Sequence, residues 1–363
     1  MKTLRMIHRW GGAVIGVFLM LIGLTGAVLL HRDAWISVSL PDARSAAALD
    51  VATLLQQVSS DPALDARFII LPSDRFGYVE VRSGTDAGAY LDPSGRIVAQ
   101  WESRWERPEH WLFDLHATLL AGKPGEIIAG VFALAGLVFV ITGVILWWPT
   151  RKTFEWRLWP RRMTRPSIIR HHRDLGVVVA PLVFLSLLTG AAMAIKPVGA
   201  ILVMPLNTPA ELQASIKPPV ADGAKPDGKY AWESMLASAR AAYPEARLAI
   251  IGLPSEPGKP MFLRLAQPSE WTENGRTMLW YHPNTGALLQ NDNGLKLIPG
   301  MQAYFSFYPL HTGEAGGIVH RWLMTLSGIA LALLGALAVW SFGRDQFGPA
   351  RRSRASHQRT SST

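Results

Sequence analysis

The chain has 363 residues, of which 49% are hydrophobic, with 36 Lys and Arg against 27 Asp and Glu and no cysteine. Its mean hydropathy is only +0.17, so the apolar residues of a membrane protein would have to be gathered into a few runs with soluble segments between them. The lack of cysteine excludes disulfides, thiolate-held iron-sulfur clusters and haem attached through a Cys-x-x-Cys-His motif, leaving His, Met, carboxylate or carbonyl donors for any metal centre.

Four runs have the length and freedom from charge of membrane spans: residues 11–30, 127–148, 175–195 and 318–342. Lipid offers no partners to backbone amides, so each is expected to be a helix. The chain-order expectation begins with a first span within 1–31. An outer segment with its lead-in (32–126), a second span (127–148) and a basic loop (149–174) follow. A third span (175–195), a second outer segment with lead-in (196–317), a fourth span (318–342) and a basic, Ser-rich disordered tail (343–363) complete it. Lys2, Arg5 and Arg9 precede the first run as in a signal peptide, but the run is long and ends in no small-x-small cleavage site, so it reads as a retained anchor.

The outer segments have matching patterns. In the first, helical spacing over 50–60 precedes strands at 67–71, 77–81, 87–91 and 96–101; in the second, a helix over 232–242 precedes strands at 247–253, 261–265, 277–281 and 287–290. The turns after Tyr90 and Tyr281 carry Asp92-Pro93-Ser94-Gly95 and Pro283-Asn284-Thr285-Gly286. Pro-rich stretches 206–228 and 253–260 read as linkers or loops. The fold class expected is therefore a four-helix membrane protein with two outer α+β domains and internally duplicated halves.

Charge sets the orientation. Residues 149–174 carry eight Lys or Arg against two acids, whereas 32–126 has nine basic and fourteen acidic residues and 196–317 has ten of each. By the positive-inside rule both termini and the middle loop are cytoplasmic and both long segments are outside. The formal charge of +9 then reflects orientation in the lipid bilayer, and no nucleic-acid partner is expected.

Histidines recur at the span ends. His8-Arg9 precedes Thr25-Gly26 at the same spacing that separates His172-Arg173 from Thr189-Gly190; Leu115-His116 and Leu310-His311 each precede a Gly-Glu-containing turn and another span. Ionisable groups at membrane depth default to a functional reading. If the halves pack about a pseudo-twofold axis, His8 faces His172 near the cytoplasmic surface and His116 faces His311 near the outer one. Two facing imidazoles suit a six-coordinate b-type haem, with Arg9 and Arg173 available to its propionates. The plain alternative for each is an interfacial cation at a helix border.

Other candidates lack repeat mates. His31 and His320, both at the outer membrane edge, form a possible alternative outer pair, with Arg321 beside His320 as a secondary candidate. His171 reads as a surface or supporting residue, and His282 and His357 as solvated. Met193, Met204 and Met301 could ligate iron but suit packing equally. The Thr-Gly pairs at 25–26, 142–143 and 189–190 make room either for close helix packing or for a planar cofactor. Trp147, Trp148, Trp156 and Trp159, and the aromatic group Tyr304, Phe305, Phe307 and Tyr308, read as an interfacial belt. There is no Walker loop, no dinucleotide fingerprint and no nucleophile-base pair.

The runs Ile7-His8-Arg9-Trp10-Gly11, Gly23-Leu24-Thr25-Gly26, Leu115-His116 with Leu119-Leu120-Ala121-Gly122, Thr142-Gly143 through Trp147-Trp148-Pro149, His172-Arg173 with Leu175-Gly176, and Leu310-His311-Thr312-Gly313-Glu314 resemble the PepSY-associated transmembrane family over about residues 4–343. That family includes iron-regulated inner-membrane proteins and ferric-siderophore reductases. The resemblance implies two periplasmic PepSY-like domains and a bacterial inner-membrane enzyme. It further implies non-covalent haem b, two copies by the histidine count, and reduction of ferric siderophore to release Fe(II). Hard oxygen donors hold Fe(III) far better than Fe(II), so one electron loosens the chelate. Some members carry a fused cytoplasmic flavin domain that this sequence lacks, so the implied donor is a quinol, a separate reductase or a small reductant. The competing readings are a siderophore permease, disfavoured by the lack of broken helices beyond Pro181, and a non-enzymatic PepSY-type regulator.

Overall fold

The computed structural model describes residues 2–41, 50–157, 159–221 and 228–347. From the N-terminus the elements are α1 (Lys2–Leu29), α2 (Arg32–Ser39), α3 (Val51–Ser60), β1 (Ala66–Ile70), β2 (Val79–Ser83), β3 (Gly88–Leu91), β4 (Ile97–Trp101), α4 (Pro108–Thr118) and α5 (Gly122–Trp147). After the basic loop come α6 (Arg165–Ala194), α7 (Lys196–Val203), α8 (Pro209–Ala214), α9 (Trp232–Ala242), β5 (Arg247–Gly252), β6 (Met261–Ala266), β7 (Thr277–Tyr281), β8 (Leu288–Asp292), α10 (Pro299–Thr312) and α11 (Gly317–Phe347). Two units form: Met1–Leu30 with Leu112–Gly199 and Leu310–Thr363, and His31–Trp111 with Ala200–Pro309.

In the first unit α1, α5, α6 and α11 are each long and apolar enough to cross a membrane. Their shared centre is Leu19, Leu137, Val183, Leu187 and Leu331, while Val14, Val17, Val138, Ile141, Phe184 and Leu326 point outward as a lipid-facing surface. Helices α1 and α11 cross antiparallel at glycines spaced seven apart on each: a Cβ on Gly335 would lie 2.4 Å from the Gly16 carbonyl, and one on Gly23 2.6 Å from that of Gly328. Backbone packs on backbone there, the usual way for helices to associate where lipid removes the hydrophobic drive.

The third span starts ten residues earlier than its apolar run. Thr164 stands at the helix cap and Pro166 in the first turn, and Ser167, Ile168, His171 and Asp174 form a buried stripe at helical spacing. The fourth span continues to Phe347, so the first five residues of the expected tail are helical; Arg344 lies over Trp340, and Asp345 pairs with Arg9 (3.0 Å) and Arg165 (3.2 Å). The rest of that tail, 348–363 with His357, lies outside the described residues. So do 222–227 of the expected linker 206–228, whose described part includes the helix α8, capped by a Thr208–Glu211 box.

In the second unit the two outer α+β segments share one sheet. Each outer segment supplies a helix and a four-stranded antiparallel meander, but β1 and β5 pair antiparallel (Ile69 opposite Ile251), giving one eight-stranded sheet in the order β4-β3-β2-β1-β5-β6-β7-β8. The pairing removes two edges that would otherwise expose unpaired amides. One core serves both meanders: Leu54, Leu55 and Val58 of α3, Met235 and Ala239 of α9, and strand residues Val79, Val81, Ile251, Leu263 and Leu279. The tyrosines of the matching turns are not equivalent. Tyr281 lies in that core, opposite Met261, whereas Tyr90 is opposite Glu80 and joins Ile36, Phe76, Tyr78 and Trp101 on the other face. A slip of one residue changes the face.

On that other face sits a buried charge cluster. Glu80, 3% exposed, accepts from Arg32 Nη2 and from Arg82 Nε, each at 2.6 Å. Burial pushes its carboxyl up, but the two guanidiniums override it and bring the pKa down to about 2 from the ordinary 4.5. A carboxylate depressed on folding stabilises fully above pH 4.5 and loses that stabilisation as the pH falls toward 2, about 3 kcal/mol in all. Thermal unfolding of wild type should therefore fall steeply over that window, and Glu80→Gln should be destabilised at pH 7 with a flatter acid limb; matching acid limbs for the two would contradict the assignment.

Candidate cofactor site

The four repeated histidines come together in the first unit as two pairs. His8 on α1 and His172 on α6 have ring centroids 6.4 Å apart, and His116 on α4 and His311 on α10 have theirs 6.1 Å apart. A transition-metal–imidazole bond of about 2 Å, with about 1.1 Å from nitrogen to ring centre, places two rings on opposite sides of one ion about 6.2 Å apart. Among the described residues no three His, Cys, Asp or Glu side chains gather to hold an ion. Two suffice where a tetrapyrrole supplies the other four donors.

Short helices aim the outer pair. The chain reverses after α4 through Leu119 and Leu120, both at positive φ (51° and 62°), and at Gly125, where a Cβ would lie 1.6 Å from the Thr118 carbonyl. After α10 it turns at Gly313 (φ 75°), packed on the backbone of Arg321. These turns are the glycine motifs that follow each histidine in the sequence. The lead-ins to the second and fourth spans are thus helical where the histidines stand.

Hydrogen bonding selects one tautomer. Thr25, Thr142 and Thr189 each donate their hydroxyl to the carbonyl four residues back, at 2.8, 2.8 and 2.7 Å. Their oxygens are left to accept: His8 Nδ1 lies 2.9 Å from Thr142 Oγ1, His311 Nδ1 3.0 Å from Thr189 Oγ1, and His116 Nδ1 3.3 Å from Thr25 Oγ1. Carbonyls of Ile22 and Ser186 also face His116 and His311, at 3.0 and 3.1 Å. With the proton on Nδ1, Nε2 keeps its lone pair for a metal. Beside His172 the Leu334 carbonyl takes the corresponding place without closing a hydrogen bond of normal geometry.

The glycine of each Thr-Gly pair makes room for the same ring. A Cβ on Gly26 would lie 2.8 Å from Cε1 of His116, on Gly190 3.3 Å from Cε1 of His311, and on Gly143 3.5 Å from Cε1 of His8. The dipeptides stand out in the sequence, but which histidine each one holds depends on the packing of the helices. Phe139, edge-on to His8 at 5.6 Å, carried no such signal. Along α1, His8 and the Thr25 that holds His116 are 17 residues apart, about 26 Å.

The remaining candidates fall elsewhere. Arg9 pairs with Asp345, and Arg173 is taken up by Asp174 (2.7 Å) and Thr153 (2.9 Å). Of the two readings of His171, a surface or a supporting residue, the structure excludes the first: it is 1% exposed, because the earlier helix start puts it on the buried stripe of α6, and among the described residues both ring nitrogens lack a hydrogen-bond partner. His31 precedes α2 in the second unit; His320 and Arg321 are on α11 in the first.

A model of the PepSY-associated TM region matches residues 5–344. The chain belongs to the PepSY-associated TM family. Both histidine pairs and both meanders of this family member fall inside the match. An uncharacterised protein of Pseudomonas aeruginosa is 24% identical over 243 residues, 64% of this chain. The chain spans 61% of that relative's length.

The glycine contacts rank two substitutions. Gly26→Ala must push the His116 ring and should lower the thermal midpoint by several degrees, as overpacking by one methyl does; Gly143→Ala, at ordinary contact distance from His8, should leave it within about a degree. Equal midpoints would show that Gly26 does not abut the ring.

Proposed function

We propose that this is a bacterial inner-membrane protein that holds two non-covalent b-type haems and passes electrons outward to a ferric siderophore, freeing iron as Fe(II). The observation that carries the reading is the two imidazole pairs at 6.4 and 6.1 Å, close to the spacing of paired axial ligands. His8 with His172 would hold the inner haem and His116 with His311 the outer one. Bound there, haem supplies one-electron chemistry at iron. The chain itself holds the tautomers through Thr25, Thr142 and Thr189, and excludes water with the leucine and valine centre between the pairs.

Family membership supports the substrate, and the distribution of acid and base supports the direction. Basic residues crowd the middle loop and tails, which would face the cytoplasm and a quinol or separate reductase; the sheet unit would face the periplasm. Arg9 and Arg173, although paired in the protein, sit beside the inner ligands and could turn to haem propionates at the cost of those ion pairs.

Reporter fusions after Gly84 and after Gly258 should be active only for a reporter that works outside the cytoplasm; cytoplasmic activity at either site would overturn the orientation.

The purified protein should show a bis-histidine b-haem spectrum with two haems per chain by pyridine haemochrome. His8→Ala and His172→Ala should each remove one and the same spectral species, and His311→Ala the other. With a ferrous chelator present, reduced protein freed of dithionite should reoxidise as the Fe(II) complex appears, more slowly in His311→Ala. Absence of haem would defeat the reading; reoxidation by quinones but not by ferric siderophores would leave only transmembrane electron transfer.

A further inference from the structure

The segment between α5 and α6 exposes aromatic rings among cations, and the haem reading uses neither. Trp148, Trp156 and Trp159 are 59%, 69% and 72% exposed, and Met163 is 60% exposed. Arg151 stacks on Trp148, 4.7 Å from guanidinium carbon to ring centroid, and Lys152, Arg157, Arg161 and Arg162 stand between or beside the other rings in the chain. Indole rings gain little by standing in water, whereas the headgroup layer of a bilayer takes both their apolar body and their N–H. The segment joins two spans, so each of its ends starts at that layer.

The cations exceed their partners. Arg157 and Arg161 share one carboxylate, that of Glu155, which lies 3.3 Å from Arg161; Arg173 holds Asp174 at 2.7 Å and Arg165 reaches Asp345 of α11 at 3.2 Å. Among the described residues no carboxylate lies within ion-pair distance of Arg151, Lys152, Arg162 or Arg170. Arg157 also has Arg161, Arg170 and Arg173 within electrostatic reach, so four guanidiniums gather against two acids, Glu155 and Asp174. The planar fork of arginine matches phosphate oxygens two bonds at a time, and a phosphate among these side chains would relieve their mutual repulsion. Arg161 and Arg170 are exposed, so they can turn toward it at little cost.

We propose that this segment binds an anionic phospholipid, its phosphate taken by Arg161 and Arg170 beside Arg157, and its glycerol and upper acyl chains by Trp156 and Trp159. The cations argue for an anion, and the rings for one with an apolar tail, which a free phosphate lacks. Orienting the chain by charge needs only enough basic residues near the span ends; lipid binding here needs these particular ones. The site rests on neither haem nor the electron acceptor, so its failure would leave the reading above untouched.

The test is thermal unfolding of the full-length protein in uncharged detergent with phosphatidylglycerol, phosphatidylcholine or glycerol 3-phosphate added. Phosphatidylglycerol at about tenfold its Kd should raise the wild-type midpoint by about 3 °C, and the other two should leave it within about a degree. Arg161→Gln combined with Arg170→Gln should unfold at the wild-type midpoint without lipid, both side chains being exposed, and lose most of the response to phosphatidylglycerol. Trp159→Ser should weaken lipid binding about tenfold. Lys2→Gln combined with Arg5→Gln removes the same charge from exposed positions at the start of α1, on the same side of the membrane, and should keep the response whole. The proposal is overturned if phosphatidylcholine or glycerol 3-phosphate stabilises as phosphatidylglycerol does, the latter assigning the site to a free phosphate. It is overturned equally if the Arg161 and Arg170 variant keeps the response, or if the Lys2 and Arg5 variant loses as much of it. No response from wild type would also overturn it and leave this surface to an acidic soluble protein.

Discussion

Two imidazoles held about 6 Å apart inside a helical bundle are the constraint around which the first unit is built. Each ring comes from one helix and is fixed by another: His116 by α1, His8 by α5, His311 by α6. The same Thr-Gly device serves three times, the hydroxyl as acceptor and the missing side chain as space. Such a device works only where the helix is regular, since the hydroxyl is turned by its own bond to the carbonyl four residues back. That dependence ties ring orientation to unbroken spans, and even Pro181 leaves α6 continuous.

Much of this was legible beforehand. Lipid demands long apolar runs, so the spans announce themselves; equal His-to-Gly spacing was enough to pair His8 with His172, and a repeated Leu-His ahead of a Gly-Glu turn paired His116 with His311. The start of α6 was hidden because Arg165, Arg170 and Arg173 make its first turns look like loop; they are charged on one side and buried through Ser167, Ile168, His171 and Asp174 on the other. The lead-in helices α4 and α10 were hidden because their apolar residues lack a one-sided stripe.

The sheet shows the opposite balance. Its strands were readable from composition and alternation, and the β6 and β7 ranges differ from expectation by at most a residue at one end. The union of the two meanders was not, because it depends on β1 finding β5 some 180 residues later, with Ile69 against Ile251. Nothing local in either strand specifies that partner. The two meanders then diverge where local chemistry differs: Glu80 draws both Arg32 and Arg82 to its carboxylate, while the matching place on β6 holds Phe262, which packs against Trp280.

The inner histidine pair is unsymmetrical for a related reason. Thr142 lies 20 residues after Gly122, which opens α5 at φ 57°, and the residue 20 after Gly317, which opens α11 at φ 60°, is Leu337. Where α5 offers His8 a hydroxyl, α11 therefore offers His172 none. His172 is left with a backbone carbonyl alongside and no bond to it, so its ring is held by the walls of its site and by whatever Nε2 binds. Of the four imidazoles, His172 is the one whose orientation the protein fixes least, and the one a ligand on the other nitrogen would fix most.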